Sequence, residues 1–187
     1  DNGNDTIGGG LGNDAIRGGN GDDNIDGGMG DDTIRADNGN DRIEGGFGND
    51  FIDGGAGNDI LVGGLDSDHL KGGSGDDLLN GGWGEDKIEG GSGTDVAFFE
   101  SVYGEYEVTP NTRTEGDNRN GIAVKLLYDG ATDMVYDVEY LVFKDKMVVT
   151  ATNTVLDLTA QDVADMELDS LLEVAPYLER WMPDQVA

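Results

Sequence analysis

Residues 9–98 read GGLGNDAIR, GGNGDDNID, GGMGDDTIR, ADNGNDRIE, GGFGNDFID, GGAGNDILV, GGLDSDHLK, GGSGDDLLN, GGWGEDKIE and GGSGTDVAF. The sixth place of every unit is aspartate. With Asp5 from the partial unit ahead, eleven aspartates stand nine residues apart: Asp5, Asp14, Asp23, Asp32, Asp41, Asp50, Asp59, Asp68, Asp77, Asp86 and Asp95. Two residues after each comes an aliphatic: Ile7, Ile16, Ile25, Ile34, Ile43, Ile52, Leu61, Leu70, Leu79, Ile88 and finally Ala97. A hard anionic ligand and a core residue that recur together describe one metal-binding structural unit copied down an array.

The unit can be read physically. Its glycines allow positive φ in a turn and let carbonyls point inward. The residues around the aliphatic position, x-U-x, form a very short strand whose U side chain faces one side. Two units, eighteen residues, then close one coil of two turns and two strands, so that aspartates at i and i+18 stack on one edge. Carbonyls and carboxylates converging there make an all-oxygen cage of the kind Ca²⁺ takes, with six to eight ligands at about 2.3–2.6 Å.

Each unit fits G-G-x-G-x-D-x-U-x, and on that motif the chain resembles the RTX, or hemolysin-type calcium-binding, family. The resemblance implies a mainly β fold: a right-handed parallel β-roll, a calcium-bound solenoid, followed by a β-rich C-terminal cap and a short amphipathic helix. It also implies a ligand rule. One turn supplies the carbonyls of positions two and four and its Asp. The turn two units later supplies the carbonyls of positions one and three and its Asp. For one ion this gives Gly10, Gly12, Asp14, Gly27, Met29 and Asp32, and on the opposite edge Gly55, Gly57, Asp59, Gly72, Ser74 and Asp77. Carried through the other units, the rule takes in Asp5, Gly18, Gly19, Asn20, Gly21, Asp23, Gly28, Gly30 and Asp41. Further along it takes in Gly45, Gly46, Phe47, Gly48, Asp50, Gly54, Ala56, Gly63, Leu65, Asp68, Gly73 and Gly75. It ends with Gly81, Trp83, Asp86, Gly90, Ser92 and Asp95. Eleven aspartates paired at i and i+18 allow at most nine ions, and we expect about seven. Two units break the pattern: Ala36 and Asp37 replace Gly-Gly, and Asp66 replaces the fourth-position glycine. The sites at Asp23/Asp41, Asp41/Asp59 and Asp68/Asp86 are expected to be the less well formed, with a kink at either place.

The formal net charge of −29, from Asp+Glu 40 against Lys+Arg 11, argues against nucleic acid and anionic membranes as partners. Composition alone describes a solvated acidic chain, but such chains keep no register. Seven divalent ions bring the charge from −29 to about −15. The chain has no cysteine, which excludes disulfides, thiolate zinc sites and thiol catalysis. No apolar run approaches the roughly 20 residues of a membrane helix. The chain opens at Asp1 inside a repeat without a signal peptide, and so reads as a piece of a longer polypeptide.

Other signals are weaker. Asp22-x-Asn24-x-Asp26-Gly27 imitates the start of an EF-hand loop but has Thr33 at the twelfth place. Gly10-x-Gly12-x-x-Ala15 lacks the βαβ setting of a dinucleotide site. His69, the single histidine, reads as a solvated surface residue with no partner for a zinc site or a triad. Phe47, Phe51 and Trp83 read as cover for an edge of the coil, or as platforms for sugar rings.

Near residue 98 the composition changes. Three segments follow: the roll over 1–98, a strand-rich cap over 99–152, and an amphipathic tail over 153–187. Phe98, Phe99, Tyr103, Tyr106, Tyr140, Leu141 and Phe143 suit a cover for the open coil end. Thr159 reads as an N-cap, and Val163, Met166, Leu171 and Val174 recur at helical spacing up to Pro176. In RTX proteins such a terminal tail resembles the uncleaved signal read by type I secretion machinery. The function expected is a non-enzymatic, calcium-dependent folding and secretion module, monomeric and extracellular or on the cell surface, from an adhesin. The alternatives are the tail of a secreted protease, lipase or polysaccharide epimerase, or a glycan-binding roll surface.

Overall fold

The computed structural model describes residues 2–99, 103–112, 121–127, 130–143, 146–150 and 154–157. Ten strands of equal length follow one another: β1 Thr6–Leu11, β2 Ala15–Asn20, β3 Asn24–Met29, β4 Thr33–Asn38, β5 Arg42–Phe47, β6 Phe51–Ala56, β7 Ile60–Leu65, β8 His69–Ser74, β9 Leu78–Trp83 and β10 Lys87–Ser92. Each begins directly after a ladder aspartate. Each runs six residues, longer than the x-U-x strand the sequence suggests. The difference has a simple cause: the second glycine and the residue after it stay laddered to the next coil, as Gly10 to Gly28 and Gly28 to Gly46.

Odd and even strands separate into two parallel sheets. One runs β1-β3-β5-β7-β9 and continues through β11 (Val96–Phe98). The other runs β2-β4-β6-β8-β10. The register is eighteen residues throughout, pairing Ile7 with Ile25 and Ile16 with Ile34. This parallel β-solenoid has about five turns. The U residues of both sheets meet between them. Ile34, Ile52, Leu61, Leu70, Leu79, Ile88 and Ala97 are fully buried, and Ile25 and Ile43 almost so. One continuous core results, in which each buried aliphatic side chain contributes about 1.5–3 kcal/mol.

The two departures from the repeat leave the pairing of this ladder unbroken. Asp37 pairs with Gly19 on one side and Gly55 on the other, so no kink arises there. Asp37 and Asp66 both take φ of 75°, the conformation that the replaced glycines would use. Aspartate is among the few non-glycine residues that tolerate this left-handed region. Asp37 is also ion-paired with Arg17.

After residue 98 both sheets continue. A 3-10 turn at Tyr103–Glu105 leads to β12 (Tyr106–Thr112), β13 (Gly121–Leu126) and β14 (Thr132–Tyr136). These are followed by β15 (Tyr140–Val142), β16 (Lys146–Val149) and β17 (Thr154–Asp157). β14 pairs parallel with β10, and β15 parallel with β11. The remaining new pairs are antiparallel. Phe143 stacks on Phe99 at 5.1 Å, and Tyr106 lies 5.1 Å from Phe143. Leu141 and Val135 extend the buried columns. The boundary expected at 152 falls ahead of one more strand, β17. The expected helix, with Thr159, Val163, Met166, Leu171, Val174 and Pro176, lies outside the described residues, as does the side chain of Tyr103. Among the described residues no helix is long and apolar enough to cross a membrane.

Candidate metal centre

The eleven aspartates form two columns, one on each edge of the roll. Asp23, Asp32, Asp41, Asp50, Asp59, Asp68, Asp77, Asp86 and Asp95 are all buried, none more than 3% exposed. Each uses one oxygen in the same way. Oδ1 accepts the backbone N–H of the aspartate eighteen residues earlier: Asp5 N–H donates to Asp23 at 2.8 Å, Asp14 to Asp32 at 2.7 Å, and Asp32 to Asp50 at 2.8 Å. The series continues to Asp77 donating to Asp95 at 3.0 Å. The other oxygen, Oδ2, is buried and has no hydrogen-bond partner in Asp14, Asp23, Asp32, Asp41, Asp50, Asp59, Asp68, Asp77, Asp86 and Asp95. Buried carboxylate oxygens are ordinarily hydrogen-bonded or bound to a cation. Ten in register require a common explanation.

The surroundings of these oxygens supply it. A Cβ placed on Gly9 would lie 2.7 Å from Asp14 Oδ2 and 2.5 Å from the Gly27 carbonyl oxygen. The first-position glycines Gly18, Gly27, Gly45, Gly54, Gly63 and Gly72 repeat this arrangement, each beside the Oδ2 of its own unit and the first carbonyl two units on. At Gly18 that carbonyl belongs to Ala36. Carboxylate and carbonyl oxygens thus face a small space that glycine keeps open. On the adjoining side, a Cβ on Gly28 would meet the Gly10 carbonyl, and one on Gly30 would lie 2.7 Å from the Gly12 carbonyl. Second- and fourth-position carbonyls therefore point toward the next coil. Most third-position carbonyls already accept one bond, as when Gly12 N–H donates to Met29 at 2.7 Å and Gly57 N–H to Ser74 at 2.8 Å. A carbonyl oxygen retains a second lone pair.

These residues fit a hard, oxygen-seeking divalent cation. Among the described residues no three carboxylate, histidine or cysteine side chains converge, so backbone carbonyls must complete any such shell, as Ca²⁺ allows. The model of the RTX calcium-binding nonapeptide repeat (4 copies) matches residues 1–34, 35–70 and 62–97. The chain belongs to the RTX calcium-binding repeat family. Its RTX repeats bind Ca²⁺ in a β-roll. Among solved structures, the roll is similar to the extracellular lipase LipA from Serratia marcescens, with 22% identity and a TM-score of 0.51. The match covers 70% of this chain and 22% of the lipase, so this chain corresponds to less than a quarter of that protein's length. No curated protein matches the chain.

Within the RTX roll the altered units keep the arrangement. Asp23 Oδ2 and Asp68 Oδ2 face carbonyls of Ala36 and Gly81 as their neighbours do. Ala36 itself differs, being the one first-position residue with a Cβ and completely buried. It belongs to the apolar core cluster, and its place in the repeat is the one where the other units leave space beside their aspartate.

A second ladder escaped the sequence reading. From Asn4 to Asp76, the residue before each ladder aspartate also accepts an N–H eighteen residues away: Asp22 N–H donates to Asn4, Asn40 to Asp22, Asn58 to Asn40, and Thr94 to Asp76, at 2.8–3.0 Å. The recurring Asn or Asp at position five was its signal. His69 is half-covered, with Nε2 2.8 Å from Glu89 and its ring edge-on to Phe51 at 5.2 Å. Phe51 also lies beneath Arg35 and Lys71. Trp83 ends an outward row with Leu11, Met29, Phe47 and Leu65.

Asp50→Ala is expected to cost two ions, because Asp50 joins Asp32 on one side and Asp68 on the other. It also leaves the Asp32 N–H without its acceptor, a loss of about 1–3 kcal/mol. Asp5→Ala, at the end of a column, should cost one ion. Native mass spectrometry of the calcium-loaded variants checks both numbers.

Burial sets the proton affinity of the column. It raises the carboxyls of Asp50, Asp77, Asp86 and Asp95 to about 6, Asp59 to about 7 and Asp68 to about 9. The N–H bond each accepts works against the rise. Neighbouring carboxylates add to it at Asp50, Asp59, Asp68, Asp77 and Asp95. In an unfolded chain these groups titrate near 3.8. Folding without metal therefore takes up protons. That stabilisation is complete below about pH 4 and is lost as pH rises through about 6 to 9. Calcium-stripped protein should show more β structure by circular dichroism at pH 4 than at pH 7.5. With calcium the trend reverses, since the ligands must be ionised.

Proposed function

We propose that this chain is a calcium-driven folding and secretion module of an exported RTX protein. The observation that carries the reading is the row of ten buried, unpartnered Oδ2 atoms, eight of them beside a backbone carbonyl that faces the same space. Calcium would supply the positive charge that lets these carboxylates be buried while ionised. Asp14 and Asp32, with Gly10, Gly12, Gly27 and Met29, would hold one ion, and Asp59 and Asp77, with Gly55, Gly57, Gly72 and Ser74, another. About seven such sites would be filled along the roll.

The consequence for export follows from linkage. In low-calcium cytosol the carboxylates repel one another, and the chain stays extended and threadable. Outside, the same residues gain their counter-charge and the roll forms, which opposes return. The strands after residue 98 would close the coil end through Phe99, Leu141 and Phe143. The tail over 153–187 would address the type I secretion machinery. The parent protein is proposed to be a cell-surface adhesin, with a secreted enzyme as the alternative. The likeness of the roll to part of an extracellular lipase suits either one. Deleting residues 153–187 should abolish export while the secreted-form roll still folds in calcium. Undiminished export of the truncated chain would remove the signal role and leave the tail a packing element.

A further inference from the structure

The aspartate ladder does not end with the repeats. Register carries Gly90 opposite Asp137, because Lys87, Ile88 and Glu89 pair with Met134, Val135 and Tyr136. A Cβ on Gly90 would lie 2.7 Å from Asp95 Oδ2 and closer still to the Asp137 carbonyl oxygen. Those are the two atom types that meet at Gly9, Gly27 and Gly45. Asp137 takes φ of 52° to present that carbonyl, which also accepts the Gly91 N–H at 3.1 Å. Glu139 then occupies the next aspartate's place: its Oε2 accepts the Asp95 N–H at 2.8 Å. In a regular unit the acid is the fifth residue after the first position, as Asp95 after Gly90. Here Glu139 is the second residue after Asp137. A carboxylate one methylene longer than aspartate spans the shortened turn. Asp95 is completely buried, and its Oδ2 points into this space without a partner.

The opposite edge is built differently. Asp133 Oδ1 accepts the Asp86 N–H at 3.0 Å, so the column continues. Yet the three atoms nearest a Cβ on Gly81 all belong to Asp86, the farthest of them at 2.7 Å, so no carbonyl oxygen approaches that position as closely as the Asp137 carbonyl approaches Gly90.

We propose that Asp95, the Asp137 carbonyl and Glu139 form a further calcium site at the seam between the roll and the strands that follow it. It rests on the calcium reading of the roll and lies outside the eighteen-residue pairing that limits the repeats to nine. Its ligands come from both sides of the seam, so filling it ties β14 and β15 to the last coil. Glutamate suits the position because it binds Ca²⁺ through one oxygen or both.

The test is an ion count by native mass spectrometry on the full calcium-loaded chain and two variants. Glu139→Gln keeps an oxygen to accept the Asp95 N–H but loses the charge, and should hold one ion fewer than the unaltered chain. Asp133→Asn, the matching change on the other edge, should hold the full number. An undiminished count in Glu139→Gln, or an equal loss in both variants, overturns the proposal. Should Glu139→Gln fail to fold, crystals of the unaltered calcium-loaded chain decide the matter. An anomalous peak between Asp95, Asp137 and Glu139 supports the site, and peaks along the repeats with none there refute it. An unaltered chain that binds no calcium at all would overturn the reading of the whole roll along with it.

Discussion

Gly45→Ala should remove one calcium ion from the roll and raise the calcium concentration needed to fold it. The added Cβ would lie 2.6 Å from the Gly63 carbonyl oxygen, 3.0 Å from Asp50 Cγ, and closer than either to Asp50 Oδ2. Backbone strain is not the reason, since φ at Gly45 lies outside the left-handed region that restricts side chains. Space is. The methyl group would occupy the point where the oxygens of the Asp50/Asp68 site converge, and overpacking alone costs about 1–3 kcal/mol. Losing the ion adds to this, because every bound ion stabilises the fold that holds it. Gly8→Ala provides the control, as a Cβ there meets nothing within 4 Å. A calcium titration followed by circular dichroism should show the midpoint shifted for Gly45→Ala and unmoved for Gly8→Ala. Ala36 already carries such a methyl group, and by the same physics the Asp41/Asp59 site should be the weakest of its column.

The solenoid was legible because its two demands recur together. The Asp14 and Ile16 pair, copied every nine residues, determines both the buried column and the metal edge, and the eighteen-residue register follows from two units per coil. Other features were hidden for identifiable reasons. Asp37 and Asp66 looked like obstacles, because the glycines they replace are the residues that most readily take positive φ. Aspartate's tolerance of positive φ lets both pass without a kink. The strands are longer than x-U-x, since the second glycine of each pair stays in register with its counterpart one coil on. The continuation through Asp133, Asp137 and Glu139 was not visible as a repeat, because its spacing contracts from nine to six and one acid becomes glutamate. The ligand sets along the repeats were readable only through resemblance to the family. The structure adds to them the orphaned Oδ2 atoms and the spaces beside first-position glycines.

Removing calcium should unfold the roll at neutral pH, the largest effect the structure implies. The apolar core between the sheets is thin, with one aliphatic side chain per nine residues. Against it stand two columns of carboxylates, buried within a chain of net charge −29. Ten of the eleven carboxylates retain one oxygen that nothing in the protein satisfies. Leaving an ionised group buried and unpaired is among the most costly arrangements a fold contains. At pH 7.5 most of these groups must either take up a proton, lose their burial or acquire a cation. Far-UV circular dichroism of the full chain at pH 7.5, first in EGTA and then in millimolar calcium, poses the question directly. The account predicts a disordered spectrum in EGTA that converts reversibly to β structure on adding calcium. A well-formed β spectrum in EGTA, unchanged by calcium, would contradict it.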